Sequence, residues 1–338
     1  MATYRFDVYG TTLNPHTAEK DPLPLVTEVA QRADRYGVDG LLAFYNHRNV
    51  DPWAVASAIL GNTKNVTALV ALQPLSVPPF TAAKLVHSLT RLYRRRIDLN
   101  LITGAAKEEL VQLDDRLDHD ERYERSVEYA TIVRALLASD EPLIHEGRYY
   151  RYLGLRTYSA LSPEEMPRIF VAGSSEASRR AAARVADVAV THPEPVSMFA
   201  ETFRDRTESE AGPGPRTAIR VGLIARPTRE EAWSTARSQY PADRFAQLKT
   251  EMRKKSENDW SRRLATLSTE DGTYDDVYWT GVFRADRGSL PMLVGDYGQV
   301  ADYLGRYLAL GVSVVLLGGL LTEEDFRHAG VVLSALRA

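Results

Sequence analysis

Thr103-Gly104, Gly173-Ser174-Ser175 and Thr191-His192 mark places where hydroxyls, amides and glycines gather at the ends of apolar runs. Gly10-Thr11, Tyr45-Asn46-His47, Gln73-Pro74, Asn100, Arg220 and Gly318-Gly319 occupy similar positions. The set lacks the carboxylate pair that glycoside hydrolysis needs. It also lacks a His/Asp/Glu cluster spaced for a metal ion, and no metal is expected. Amide and hydroxyl donors around glycine turns suit a large polar cofactor that carries a phosphate. Gly173-Ser174-Ser175 is the sharpest case, because it closes an apolar run and opens a helical one. Free backbone N–H groups and the positive helix end favour a phosphate there, although an ordinary N-cap serine after a glycine turn explains the residues equally well. Histidine titrates near neutral pH, so His47 and His192, read as ending adjacent strands, are candidate acid/base groups. Each is weighed against a hydrogen-bonded histidine on a rim. Arg220 can bind an acidic substrate group or pair with a neighbouring carboxylate.

These positions need a scaffold. Strand-like runs fall at Tyr4–Tyr9, Gly40–Phe44, Val66–Gln73, Ile97–Ile102, Arg168–Gly173, Asp187–Thr191, Ala218–Arg226 and Val312–Gly319. Helical periodicity occupies Leu23–Tyr36, Trp53–Gly61, Thr81–Tyr93 and about Asp120–Ala138, with Asp118 and Glu121 placed to cap the last. Further helices begin near Glu176, Ser197 and Glu323. Runs such as VTALVAL are apolar on both faces, which suits a parallel sheet covered on both sides. Eight strand–helix units predict an α/β chain closed as a (β/α)8 TIM barrel, with chemistry at the C-terminal strand ends. Two stretches break the rhythm. Leu143–Tyr158 reads as a small antiparallel excursion turning at Glu146-Gly147, and about 240–293 reads as a long lid or insertion within a single domain spanning 1–338. The basic stretch RKKSENDWSRR inside it is expected to be a solvated helix face.

Composition narrows the function. The 338 residues are 44% hydrophobic and 26% charged, as in an ordinary globular protein. A net charge of −3 gives no electrostatic reason to propose nucleic acid or an anionic membrane as partner. The absence of cysteine excludes disulfides, thiolate metal sites and cysteine nucleophiles. No apolar run reaches the length of a membrane span and the first residues do not form a signal peptide, so the expected location is cytoplasmic.

Two segments then carry a resemblance. Asn100-Leu101-Ile102-Thr103-Gly104 is followed by Asp118-His119-Asp120-Glu121-Arg122-Tyr123, and Val171–Ser178 reads VAGSSEAS. With AQRADRYGVDGLL near the start and LVGDYGQVADYLGRYLALGVSVVLLGG near the end, these resemble the bacterial-luciferase-like flavin monooxygenases, closest in pattern to the alkanesulfonate monooxygenases. The resemblance covers nearly the whole chain. It implies that Asn100 and Thr103 contact a flavin ring and that His119 lies beside the ring or ribityl chain. It implies that Tyr123, Gly173, Ser174 and Ser175 hold the phosphate of FMN, used as FMNH2 with O2.

The substrate side departs from that pattern. The position of the alkanesulfonate enzymes' cysteine falls on Asn49, and their Arg-x-His on the seventh strand reads Arg220-Val221-Gly222. Their final tyrosine becomes Leu320, and the tryptophan after the sixth strand becomes His192. Arg284 or Arg287 stands where a mobile-loop arginine is expected. Losing cysteine, histidine and tyrosine together argues against the same proton abstraction, leaving hydroxylation, N-oxidation, epoxidation or Baeyer–Villiger insertion open. The chain therefore reads as a two-component monooxygenase of a small or medium organic substrate, His47, His192 and Arg220 being the catalytic candidates. No G-x-G-x-x-G follows a strand, so a separate NAD(P)H-dependent flavin reductase is the expected partner. A homodimer or homotetramer is expected by resemblance. The alternatives are an F420-dependent oxidoreductase and a non-catalytic flavin-binding relative.

Overall fold

The computed structural model describes residues 2–12, 21–104, 107–157, 159–201, 214–241, 244–254, 259–268 and 272–337. In chain order the strands are β1 (Asp7–Thr11), β2 (Gly40–Ala43), β3 (Thr67–Leu72), β4 (Asp98–Leu101), β5 (Leu143–Glu146), β6 (Arg151–Leu155) and β7 (Ile169–Ala172). They continue with β8 (Val188–Thr191), β9 (Arg216–Arg226), β10 (Thr273–Tyr274), β11 (Tyr278–Trp279), β12 (Met292–Asp296) and β13 (Val312–Gly318). The chain divides into two compact units, Thr11–Ala189 and Met1–Gly10 with Val190–Ala338.

In the Thr11–Ala189 unit, β2, β3, β4 and β7 pair in parallel in that order. Every residue of β2 and β4 is buried, as strands covered on both faces require. The covering helices start where the sequence places stop-and-start chemistry. Asp21 and Asp51 cap Pro22–Arg35 and Pro52–Asn62, each accepting a backbone N–H two residues on, with proline in the first turn. Asp118 and Glu121 form a reciprocal capping box on His119–Ala138, as their spacing predicts. The antiparallel excursion is β5 paired with β6, Glu146 opposite Arg151. The Glu128 carboxylate accepts the N–H groups of Arg148, Tyr149 and Tyr150 at its turn, and a Cβ on Gly147 would lie 2.0 Å from that carboxylate.

In the other unit, β13 lies between β1 and β9, parallel to both, with Val314 opposite Asp7 and Ala218. The C-terminal half of β9 pairs in parallel with β12, and β11 and β10 extend that edge antiparallel. All eight strands read from the sequence are present, and β12 is an additional parallel strand at the end of the stretch read as an insertion. Its five residues run directly into the helix Tyr297–Ala309 through an Asp296–Gln299 capping box, so periodicity alone does not separate them. Within 240–293 the described residues also form helices Arg244–Arg253, Asp259–Leu267 and Gly281–Arg284. Part of RKKSENDWSRR, residues 255–258, lies outside the described residues. Its Trp260 is buried rather than solvated.

Gly222 on β9 faces Met292 of β12 across the register. A Cβ there would approach Met292 Sδ to 2.2 Å, and Met292 is itself 3% exposed among Trp233, Trp279 and Val294. Gly222→Ala is expected to destabilise the fold by about 1–3 kcal/mol through overpacking, read as a lower urea midpoint at unchanged m-value.

Candidate functional site

The C-terminal end of β7 meets the start of the helix Glu176–Val185 at Gly173-Ser174-Ser175. Gly173 adopts φ +151°, and a Cβ would come within 2.5 Å of both the Tyr123 hydroxyl oxygen and Ser178 Cβ. Only glycine fits, because the space of its side chain is already occupied. Ser175 is the N-cap: its hydroxyl accepts the Ser178 N–H at 3.2 Å, while the Ser178 hydroxyl donates to the Ser175 carbonyl at 2.7 Å. The Tyr123 hydroxyl donates to the Ala172 carbonyl at 3.1 Å. Burial raises its pKa, and hydrogen bonding with Thr103, Ser178 and Ser175 works in the opposite direction. Four hydroxyls thus gather at a helix N-terminus around a glycine with positive φ, a polar helix end of the kind that suits a phosphate.

His119 opens the neighbouring helix. Its ring centroid lies 5.2 Å from that of Tyr123, and its Nδ1 is 2.8 Å from Asp120 Oδ1. The His119 hydrogen bond holds the Asp120 carboxyl below its usual range, helped by the charges of His119 and Arg180. Arg180 also pairs with Glu176. Asn100 is 6% exposed on β4, and its Oδ1 has no hydrogen-bond partner among the described residues. Of the seven residues read as cofactor-binding, Thr103, Tyr123, Gly173 and Ser175 converge. Ser174 is buried beside them, His119 stands at their edge, and Asn100 lies on the adjoining strand. Sequence reasoning passed over Ser178. Its spacing three residues after an N-cap serine is the signal that finds it.

The second cluster belongs to the other unit. The His192 ring stacks on Trp260 at 4.4 Å between centroids and 9° between planes. His192 Nε2 and Arg220 Nε have no partner among the described residues. Both side chains are half-buried. Burial, followed by the charge of Arg220, pushes the His192 pKa well below its ordinary value. The imidazole is therefore neutral at pH 7. Burial also lowers the pKa of the Arg220 guanidinium, but from so high a value that it stays charged.

The loop 192–196 is clamped from several sides. Tyr278 donates to the Pro193 carbonyl at 3.1 Å, Tyr307 to the Glu194 carbonyl at 2.5 Å, and the Val196 N–H donates to Tyr303 at 3.1 Å. Arg263 pairs with Glu194 at 2.9 Å. Trp260, Arg263 and Tyr278 come from the 240–293 stretch, so that stretch fixes His192. Gly222 explains the missing strand histidine, since Met292 fills the place of any side chain there.

His47 does not share this environment. It is exposed, its Nδ1 lies 2.8 Å from Gln112 Oε1, and its N–H donates to Glu109. The strand order β2-β3-β4-β7-β8 also separates its strand from that of His192, correcting the reading of adjacent strand ends. Hydrogen bonding to the Lys107–Gln112 helix accounts for His47 without chemistry.

Residues 5–313 match the family described as luciferase-like monooxygenase. The chain belongs to that family, has its (β/α)8-barrel fold, and is a monooxygenase. It is 42% identical over 318 residues to the 4-(gamma-L-glutamylamino)butanoyl-(BtrI acyl-carrier protein) monooxygenase BtrO of Niallia circulans, covering 94% of this chain and 92% of that one. Among solved structures, the EDTA monooxygenase EmoA from Chelativorans sp. BNC1 superposes with TM-score 0.76 at 17% identity, covering 98% of this chain and 94% of that chain. DmoA from Hyphomicrobium sulfonivorans gives TM-score 0.75 at 21% identity, with coverage of 96% and 86%. Both likenesses concern the fold. No helix among the described residues is long and apolar enough to cross a membrane.

The His192 environment sets a pH dependence. Above the unfolded-state pKa of about 6.5 the ring is neutral in both states and titration has no effect. Below it the unfolded chain takes up the proton first, so folding stability falls by up to about 1.4 kcal/mol per pH unit until the lower folded pKa is reached. The stability of the wild type relative to His192→Gln is expected to decline between pH 6.5 and 5, as measured by paired urea melts. A constant difference would show that His192 protonates as readily folded as unfolded.

Proposed function

We propose that this chain is the oxygenating component of a two-component system, taking FMNH2 from a separate NAD(P)H-dependent flavin reductase and placing one atom of O2 into an acyl substrate. The observation that carries the cofactor assignment is the Tyr123–Gly173–Ser175–Ser178 cluster: hydroxyls packed closely around a positive-φ glycine at the N-terminus of the helix Glu176–Val185. Those residues would hold the phosphate, with Thr103 and Asn100 toward the ring and His119 at the edge. When bound, the reduced flavin supplies the electrons that activate dioxygen.

The chain's own residues perform the remaining tasks. Arg220, half-buried and charged, binds or polarises an oxygen of the substrate. Neutral His192 accepts or returns a proton at Nε2, and its stacking on Trp260 holds the ring in one orientation. Trp260 on His192, Arg263 on Glu194 and Tyr278 on Pro193 pack the 240–293 stretch against these residues and reduce their contact with water, which strengthens the Arg220 interaction. The likeness to BtrO favours an amide-bearing acyl chain carried on an acyl carrier protein as substrate. We read residues 1–338 as one catalytic domain, working as a homodimer or homotetramer. Ile144 and Leu153, exposed and opposite each other on the β5–β6 hairpin, offer an apolar contact for such an assembly.

Anaerobic titration with FMNH2, followed by oxygen and acyl-carrier-protein thioesters, tests the reading. The expected product is 16 mass units heavier, one oxygen atom, and is absent without flavin. Binding of F420 in preference to FMN, with no such product, would return the assignment to a hydride-transfer enzyme. Tyr123→Phe combined with Ser175→Ala is expected to weaken FMN about 10–100-fold while affecting riboflavin much less, because charge-assisted bonds to a phosphate are worth about 1.5–3 kcal/mol each. Equal losses for both ligands would move the phosphate elsewhere.

A further inference from the structure

Gln73 is a buried polar group that the chemistry above leaves unused. It follows β3 directly, is 1% exposed, and neither Oε1 nor Nε2 has a hydrogen-bond partner among the described residues. Asn100 Oδ1, on the next strand, is in the same condition. Ala71 pairs with Asn100, and the Ile102 N–H donates to the Leu72 carbonyl, so the parallel register continues to Gln73. Residues two apart on a strand share a face. Gln73 therefore stands on the same face as Asn100, opposite to Leu72 and Leu101. Gly104, with φ +85°, passes over the Gln73 amide, and a Cβ there would lie 2.8 Å from Nε2. The glycine leaves room for that amide to sit where it does.

A buried carboxamide with nothing to bond is costly to the folded chain, and with the unpartnered Asn100 oxygen on the same face of the next strand it calls for a polar ligand. A carboxamide offers a donor and an acceptor side by side. Its complement is a planar group with a ring N–H beside a carbonyl. A phosphate has no N–H, and a hydrocarbon chain needs neither atom. The pyrimidine edge of an isoalloxazine has this arrangement.

We propose that Gln73, together with Asn100, reads the pyrimidine edge of the flavin ring, making Gln73 a cofactor-holding residue of this chain. This rests on the flavin assignment under Proposed function. Nε2 donates to a ring carbonyl and Oε1 accepts the ring N–H, so Gln73 sets ring orientation while the serine cluster sets the phosphate. The arrangement carries a second consequence. Without flavin the amide is a burden, so replacing it with an apolar side chain of similar size relieves the apo-protein.

The test compares wild type and Gln73→Leu by fluorescence titration with FMN and with N3-methyl-FMN, which lacks the ring N–H, alongside thermal melts of both apo-proteins. Wild type is expected to bind FMN about tenfold or more tightly than the methylated ring, the ratio of one hydrogen bond. Gln73→Leu is expected to bind FMN about 10–100-fold more weakly, to lose the discrimination between the two rings, and to melt at or above the wild-type temperature. Discrimination undiminished in Gln73→Leu overturns the proposal, because a difference between the rings would then come from elsewhere. A drop of several degrees in the apo-protein also overturns it, assigning Gln73 an internal structural bond. Failure of wild type to bind FMN at all would instead sink the flavin assignment beneath it.

Discussion

At the end of β7 the backbone turns through a conformation open only to glycine, and the space left free is taken by the Tyr123 hydroxyl and Ser178. This close approach fixes the surroundings of the proposed phosphate site. It sets where the helix Glu176–Val185 begins and draws Tyr123 onto the Ala172 carbonyl. It also ties down the helix His119–Ala138, whose capping box satisfies its own first turn. A strained backbone persists where surrounding structure over-determines it, and such positions gather at binding sites.

The other half relies on rigidity of a different kind. A loop of five residues, 192–196, is held by three tyrosine hydroxyls and an arginine, each bonded to backbone or to Glu194. Those bonds satisfy backbone groups that burial would otherwise leave exposed to an apolar interior. They also remove the freedom by which His192 might turn its ring away from Trp260. A neutral imidazole stacked on Trp260 near a guanidinium is a more defined chemical partner than an exposed histidine bonded to a surface glutamine, which is the situation of His47.

Buried polar atoms without partners occur in both halves: Gln73 and Asn100 in one, His192 and Arg220 in the other. Such groups weaken a fold, and these four lie on or directly after strands, whereas others, such as those of His87 and Tyr129, belong to the covering helices. The same economy appears at Gly222, where Met292 closes off the place that holds a histidine in the alkanesulfonate enzymes.

The eight βα units, the Asp118–Glu121 cap, the hairpin turning at Glu146-Gly147 and the glycine–serine turn were legible in the sequence, since each follows from local periodicity or from backbone chemistry within a few residues. Thr103, Tyr123 and Ser175 were legible only as motif matches far apart in the chain. Their meeting at one point depends on which helices lie beside which strands. Local pattern could not reveal β12, which has no turn between itself and the next helix, or the burial of Trp260 inside a charged stretch. It could not distinguish His192 from His47 either, since both follow strands and both titrate near neutrality in isolation. Tertiary structure decided between them by desolvation and by the charge of Arg220, both set by residues distant in sequence. It also set Gln73 apart, because an amide without a partner is defined by everything that surrounds it.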